Sequence, residues 1–215
     1  NEILKPHGRK FAPDPASVKS AMVGGIVMNN ASGMNCGTHA NSDKELLSAK
    51  IVLADGTRLN TGAPESRMTF EKNHTPFLNK IIEIRDEIRN DNELSDRIRK
   101  KYSIKNVTGL NLLPFVIYDD PFDIIAHLMV GSEGTLAFLS EVTMKTEHDY
   151  PYSASAMLYF SNIKDACRAV VAMKPGPVFS AELLDKKSLA SVNDTTGTGL
   201  TAVLTETKAD TPEEL

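Results

Sequence analysis

The sequence predicts an α+β fold, and three observations carry the prediction. Past residue 151, strand-like runs alternate with helix-like runs at the spacing of a sheet with helices on one face. Between residues 75 and 101 apolar residues recur with a helical period. Around residue 140 the period falls to two, as a half-buried strand requires.

Residues 11–41 are rich in Pro, Gly, Asn, Ser and Ala, so they read as loop interrupted by one short helix. Ile51-Val52-Leu53 and Arg58-Leu59 flank Ala54-Asp55-Gly56-Thr57, and Asp-Gly supplies the positive φ angles of a tight primed hairpin turn. Phe77, Leu78, Ile81, Ile82, Ile84 and Ile88 define an amphipathic helix over residues 75–89, and a more basic helix follows over 93–101. Asp120-Pro121 opens a helix over 122–130 that Gly131 ends at the C′ position. Leu136, Phe138, Val142 and Met144 then alternate with Ala137, Glu141, Thr143 and Lys145, a strand with one buried face.

A charged, proline-containing link at 148–151 marks a domain boundary, giving domains at 1–149 and 150–215. The second holds a strand at 154–160, a helix at 163–173 capped by Asn162, a strand at 179–184, a short helix from Lys186 and a strand at 201–205. Thr211-Pro212-Glu213-Glu214 reads as a helix start, with Thr211 as N-cap and Glu214 closing a capping box. That ending, and an opening without Met, make the chain read as a segment of a larger protein.

Composition narrows the function classes. The 215 residues are 41% hydrophobic, enough to fill a core. Lys and Arg number 24 against 28 Asp and Glu, with no basic cluster, which argues against a nucleic-acid partner. The longest apolar run, residues 21–28, contains two glycines and falls short of the roughly 18 residues a membrane span needs. No secretory h-region precedes it, and Cys36 and Cys167 do not form a disulfide framework, so the cytoplasm is the expected compartment.

The chemistry-bearing segment is Gly24-Gly25-Ile26-Val27-Met28-Asn29-Asn30-Ala31-Ser32-Gly33-Met34-Asn35-Cys36-Gly37-Thr38. Its glycines, with Ala31 and Ser32, let backbone N–H groups approach a large ligand, while Asn29, Asn30 and Ser32 add side-chain hydrogen bonds. This suits a phosphate or a planar cofactor, although small polar loops also serve as connectors. The spacing is not that of a Rossmann turn, so a nicotinamide site is disfavoured. Gly131-Ser132-Glu133-Gly134-Thr135 lies between a helix end and a strand start, where it is either a ligand-facing turn or a simple helix stop. In Pro13-Asp14-Pro15-Ala16-Ser17, Asp14 or Ser17 is placed to cap the short helix that follows.

Taken in order, Pro13 to Ser17, Gly24-Gly25 through Asn29-Asn30-Ala31-Ser32-Gly33-Met34, and Gly131 to Leu136 ahead of Ser140-Glu141-Val142-Thr143 closely resemble the FAD-linked oxidases and dehydrogenases of the vanillyl-alcohol oxidase and p-cresol methylhydroxylase superfamily. The similarity is to the D-2-hydroxyacid dehydrogenase branch, with glycolate oxidase large subunits and D-lactate and D-2-hydroxyglutarate dehydrogenases. Ile104-Lys105-Asn106-Val107-Thr108-Gly109 also resembles a segment of the long bacterial members, and Ala181-Glu182-Leu183-Leu184-Asp185 the opening of their cap. The resemblance implies the second half of a PCMH-type FAD-binding domain followed by the start of a ferredoxin-like cap. It implies FAD held by Pro13, Asp14, Ala16, Ser17, Gly24, Gly25, Asn29, Asn30, Ala31, Ser32, Gly33, Cys36, Gly37, Glu133, Gly134 and Thr135. It further implies hydride transfer from C2 of a D-2-hydroxy acid, an electron acceptor, and an iron–sulfur domain in the longer members. The family's first glycine-rich loop, its histidine-rich metal site and the basic residues of its cap have no counterpart here, so no catalytic residue is expected in this chain.

Other residues take simpler readings. Cys36 and His39 lack further partners at metal-ligand spacing. His127, in the last turn of its helix, is explained by the helix dipole or by packing. Lys105 reads as solvated or as facing an anion, and Arg97, Arg99, Lys100 and Lys101 as a solvated helix face. Two alternatives remain open: a non-catalytic interaction module whose uncovered apolar surface drives self-association, and a flavoprotein of the same superfamily with reductase or ether-lipid synthase chemistry.

Overall fold

The computed structural model describes residues 1–34, 36–37, 39–107, 109–192 and 200–215. A 3-10 turn at Lys5–His7 precedes β1 (Arg9–Lys10), α1 (Val23–Met28), α2 (Ser42–Glu45), β2 (Leu46–Val52) and β3 (Arg58–Asn60). Then come α3 (Pro64–Asn90), α4 (Asn92–Lys101), α5 (Leu113–Ile117), α6 (Pro121–Leu128) and β4 (Phe138–Met144). The chain continues through β5 (Glu147–His148), β6 (Tyr152–Phe160), α7 (Ile163–Met173), β7 (Val178–Leu184), α8 (Lys186–Ser191), β8 (Thr201–Ala209) and a 3-10 turn at Pro212–Glu214. This is the α+β class read from the sequence.

The chain divides into two compact units, Phe11–Glu147 on one hand and Asn1–Lys10 with His148–Leu215 on the other. Residues 1–10, which the sequence groups with the first domain, thus pack with the second unit. There the Asp149 N–H donates to the Gly8 carbonyl at 3.0 Å, and the Lys10 ammonium lies 5.7 Å from the Phe179 ring centre.

In the Phe11–Glu147 unit an antiparallel sheet of order β3-β2-β4 packs Ile51 and Leu59 into a core with Val27, Ile124 and Val130, all of them fully buried. The β2–β3 hairpin forms, but not with a primed turn. Gly56 alone has a positive φ, at 86°, and the Gly56 N–H donates to the Leu53 carbonyl at 2.9 Å, so a type I turn is followed by a left-handed glycine. The Thr57 N–H donates to Asp55 Oδ1 at 2.9 Å, which holds the Asp55 carboxyl below its ordinary pKa.

The helix predicted at 75–89 is the second half of α3. The first half, from Pro64, joins it across a kink at His74, where Pro76 interrupts the backbone ladder. Arg67 of the first half pairs with Asp120 at 2.6 Å and Asp123 at 3.3 Å, while Arg89 of the second half donates to the Phe115 and Tyr118 carbonyls. These bonds tie α3 to α5 and α6. The helix predicted over 122–130 runs from Pro121 to Leu128, with Asp120 accepting from the Phe122 N–H, and Gly131 follows it at φ 82°.

In β4 the buried face changes phase along the strand. Lys50 pairs with Glu141 but Ile51 pairs with Leu139, so Ser140 is an extra residue. Leu139 is therefore buried and Phe138 is 69% exposed, the reverse of the simple alternation, while Val142 and Met144 face inward beyond the bulge.

In the other unit the sheet order is β6-β8-β7, with β8 antiparallel to both neighbours. Helices α7 and α8 pack on it, burying Ala166 and Leu189. Asn162 caps α7 as expected, accepting from the Asp165 N–H at 3.0 Å. The helix start predicted at Thr211 is a short 3-10 turn in which the Thr211 side chain makes no cap bond.

Candidate functional site

The site is built where α1 stops. The Ala31 N–H donates to the Ile26 carbonyl and the Asn30 N–H to the Val27 carbonyl, both at 2.9 Å, with Asn30 left-handed at φ 48°. This six-to-one and five-to-two pair is a Schellman stop, for which asparagine substitutes for glycine. Asn30 is buried and its Oδ1 accepts from the Asp43 N–H at 3.3 Å, so its side chain fixes the loop from beneath. Neither Asp14 nor Ser17 caps α1; Met22 occupies the N-cap without a side-chain bond, and residues 15–21 form turns instead.

The loop then runs against the proline-flanked segment. A Cβ on Gly33 would stand 2.0 Å from Asp14 Oδ1 and 2.2 Å from the Asp14 carbonyl oxygen, a separation only glycine permits. Beneath it, Cys36 is fully buried with Ala12 and Ala40; its thiol donates to Asn41 Oδ1 at 3.1 Å and accepts from the Gly33 N–H at 3.2 Å.

The second motif docks on the same loop. The Thr135 N–H donates to the Ser132 carbonyl at 2.9 Å, with Glu133 at φ 54° and Gly134 at φ 76°, which makes a primed turn. A glutamate in that region costs about 1–2 kcal/mol. Two bonds oppose the cost: the Glu133 N–H donates to the Met28 carbonyl at 2.9 Å, and Asn29 Nδ2 donates to Glu133 Oε2 at 3.1 Å. A third segment closes the cluster. A Cβ on Gly131 would meet the Gly109 carbonyl oxygen at 3.4 Å and Asn30 Cβ at 3.9 Å, and Lys105 Nζ donates to the Gly33 carbonyl at 3.3 Å.

These contacts enclose a cleft of about 380 Å³ lined by Pro15, Ser17, Ala21, Gly25, Ile26, Asn29, Ala31, Ser32 and Val107. Its wall is uncharged, and a Cβ on Gly25 would meet nothing within 4 Å, so the helix backbone there faces open space. A second hollow of about 440 Å³, lined by Lys50, Arg58, Asn60, Ser66 and Ser140 among others, contains none of the residues expected to hold FAD.

Of the sequence-predicted residues, Ser17, Gly25, Asn29, Ala31 and Ser32 form the cleft wall. Asp14 and Gly33 lie against each other at its edge, Pro13 and Asn30 are buried behind it, and Glu133 reaches it through Asn29. Ala16, Gly134 and Thr135 are exposed but do not line the cleft, and Gly24 lines a separate hollow with Val23 and Leu139. Cys36 is sealed below the loop, and Gly37, at φ 55°, lies beside His39. Asn35, Thr38 and Thr108, which fall within the motif runs, lie outside the described residues. Pro15, Ala21, Ile26 and Val107 also line the cleft but are not among the residues the sequence singled out; each lies in or beside a recognised run and carries no hydrogen-bonding side chain to signal it.

His127 is buried, stacked on Tyr118 at 4.2 Å between ring centres. Its Nδ1 donates to the Asp123 carbonyl at 2.8 Å, so Nε2 accepts from the Tyr118 hydroxyl at 3.0 Å. Burial pushes its pKa down, and the ring is neutral at pH 7; packing explains it, and a favourable dipole interaction does not. Burial likewise raises the Tyr118 pKa. Among the described residues no three His, Cys, Asp or Glu side chains group to hold a metal, and no helix is long and apolar enough to cross a membrane.

Residues 1–62 match the family model described as FAD binding domain. Along most of its length the chain is similar to dehydrogenases of D-2-hydroxy acids. It is 26% identical over 201 residues to D-2-hydroxyglutarate dehydrogenase of Haemophilus influenzae, covering 88% of this chain and 19% of that protein. It is 26% identical over 195 residues to the mitochondrial D-lactate dehydrogenase [cytochrome] 1 of Saccharomyces cerevisiae, covering 90% and 24%. The D-lactate dehydrogenase of Archaeoglobus fulgidus is also 26% identical, over 185 residues, covering 85% and 30%. The chain thus spans less than a third of the length of these relatives. A solved alkyldihydroxyacetonephosphate synthase superposes with a TM-score of 0.54 at 14% identity, covering 97% of this chain and 32% of that one, which shows a shared fold.

The cleft combines open backbone at Gly25 with small residues at Ala31, Ser32 and Gly33 and an uncharged lining. Its volume of about 380 Å³ lies in the range of small-molecule sites.

Proposed function

We propose that this chain supplies one wall of the FAD site in a dehydrogenase that oxidises a D-2-hydroxy acid of the lactate, glycolate or 2-hydroxyglutarate type. The observation that carries the reading is the convergence of residues 13–17, 29–33, 105–107 and 131–135 around one uncharged cleft. The names of the relatives support the substrate class. FAD, when bound, supplies the hydride acceptor for substrate C2. Ser17, Asn29 and Ser32 bind it through side-chain hydrogen bonds, the Asn30 stop and the Glu133 turn hold the loop in place beforehand, and Ile26 and Val107 exclude water. The base that takes the hydroxyl proton and any iron–sulfur domain belong to other parts of the full protein, whose partner is an electron acceptor and whose compartment is the cytoplasm.

Isothermal titration of the chain with FAD tests this. Weak, saturable binding is expected, because each 1.4 kcal/mol of contact supplied elsewhere costs roughly tenfold in affinity. A dissociation constant below about 1 μM contradicts the partial-wall reading, and no saturation at about 1 mM contradicts flavin holding altogether.

A second reading, self-association, is favoured by the outer edge of β6. The strand carries no charge, and eight of its nine residues are exposed. Antiparallel pairing with a second copy about Ala156 sets Ser153, Ala154 and Ser155 against Tyr159, Leu158 and Met157, small against large. Sedimentation that shows only monomer at high concentration rules it out.

A further inference from the structure

We propose that Lys105 is the cation that meets the phosphates of the bound dinucleotide, an assignment that rests on the flavin-holding reading above. A dinucleotide brings a charged pyrophosphate, and no residue lining the cleft offers a countercharge. The carboxylates at its margin make the need greater: Asp14 presses on Gly33, and Glu133 is bonded to Asn29.

Lys105 stands at that margin. Its ammonium donates to the Gly33 carbonyl at 3.3 Å, beside the wall residue Ser32, and Val107, two residues along, is itself part of the wall. The base of this segment is anchored where the Gly109 carbonyl packs on Gly131. The side chain is exposed, on a four-carbon stem, so one of its three donors stays on Gly33 while another reaches a phosphate oxygen. Other cations of the same unit are committed away from the cleft: Lys50 to Glu141, Arg67 to Asp120 and Asp123, and Arg89 to Asp119.

Titrations of the chain with FAD, FMN and riboflavin, followed by flavin fluorescence, test the assignment, because riboflavin lacks phosphate. For Lys105→Gln, FAD and FMN are expected to bind about tenfold more weakly, equal to about 1.4 kcal/mol, with riboflavin unchanged. Lys105→Arg is expected to keep wild-type affinity for all three. Equal weakening of riboflavin overturns the assignment, since Lys105 would then act only by holding the Gly33 loop, and so does unaltered FAD affinity in Lys105→Gln. A wild-type chain that binds none of the three overturns the flavin-holding reading itself, and the Lys105 assignment with it.

Discussion

Replacing Gly33 with alanine probes the contact on which the cleft is built. The new methyl would lie 2.2 Å from the Asp14 carbonyl oxygen and 2.6 Å from Asp14 Cγ. The carboxylate can rotate away, but the carbonyl belongs to a backbone fixed by the buried rings of Pro13 and Pro15. The two strands of chain must part by about 1.2 Å before ordinary contact is restored, a large displacement in a close-packed region. Overpacking of this kind costs about 1–3 kcal/mol, which lowers the melting temperature of the Phe11–Glu147 unit by about 3–10 °C. Gly25→Ala is the matched control. It sits in α1 with nothing within 4 Å of its Cβ, so removing a helical glycine stabilises by about 0.5–1 kcal/mol while a methyl enters the cleft. Circular dichroism melts and FAD titrations of both variants read the result. Gly33→Ala should lose stability and flavin affinity together, whereas Gly25→Ala should lose affinity alone. An unchanged melt for Gly33→Ala refutes the proposed contact, and undiminished FAD binding by Gly25→Ala removes that position from the ligand's path.

Two further outcomes follow from buried groups. His127 has its pKa lowered from the usual 6.5, chiefly by desolvation, so the unfolded chain binds its proton first as pH falls. Stability should be full above that value and decline as pH drops below it toward the folded-state pKa; melts between pH 8 and 5 should show a shallower slope for His127→Gln, and an identical slope contradicts the neutral, buried ring. Of the thiols, Cys167 is exposed and Cys36 buried. A disulfide reagent should therefore modify one thiol quickly in the native protein and the second only on unfolding; two equally fast reactions would mean that the loop over Cys36 is open.

Much of the fold could be read from sequence where period and cap agree, as at α7, with Asn162 before Ile163, and at α6, with Asp120 before Pro121. The first half of α3 could not, because its Met68 is exposed and little besides Phe70 is buried, so no apolar stripe announces it. The β4 phase was hidden by the bulge at Ser140, since one added residue reverses every side chain on one side of it. At the site, the small residues and amides of residues 24–33 identified the loop, but not which of them face outward. Asn29 and Asn30 look alike in sequence, yet the helix stop buries one and exposes the other. The role of Asp14 depends on Gly33, nineteen positions away, and no local pattern contains that contact.

Amide hydrogen exchange with and without saturating FAD tests most directly whether this cleft is where a flavin sits. Slower exchange is predicted at Gly25 and through residues 29–33, with residues 131–135 following, and no change in β8. Protection confined to the hollow beside Lys50 and Arg58, or absent from residues 24–33 while FAD is bound, would contradict the account.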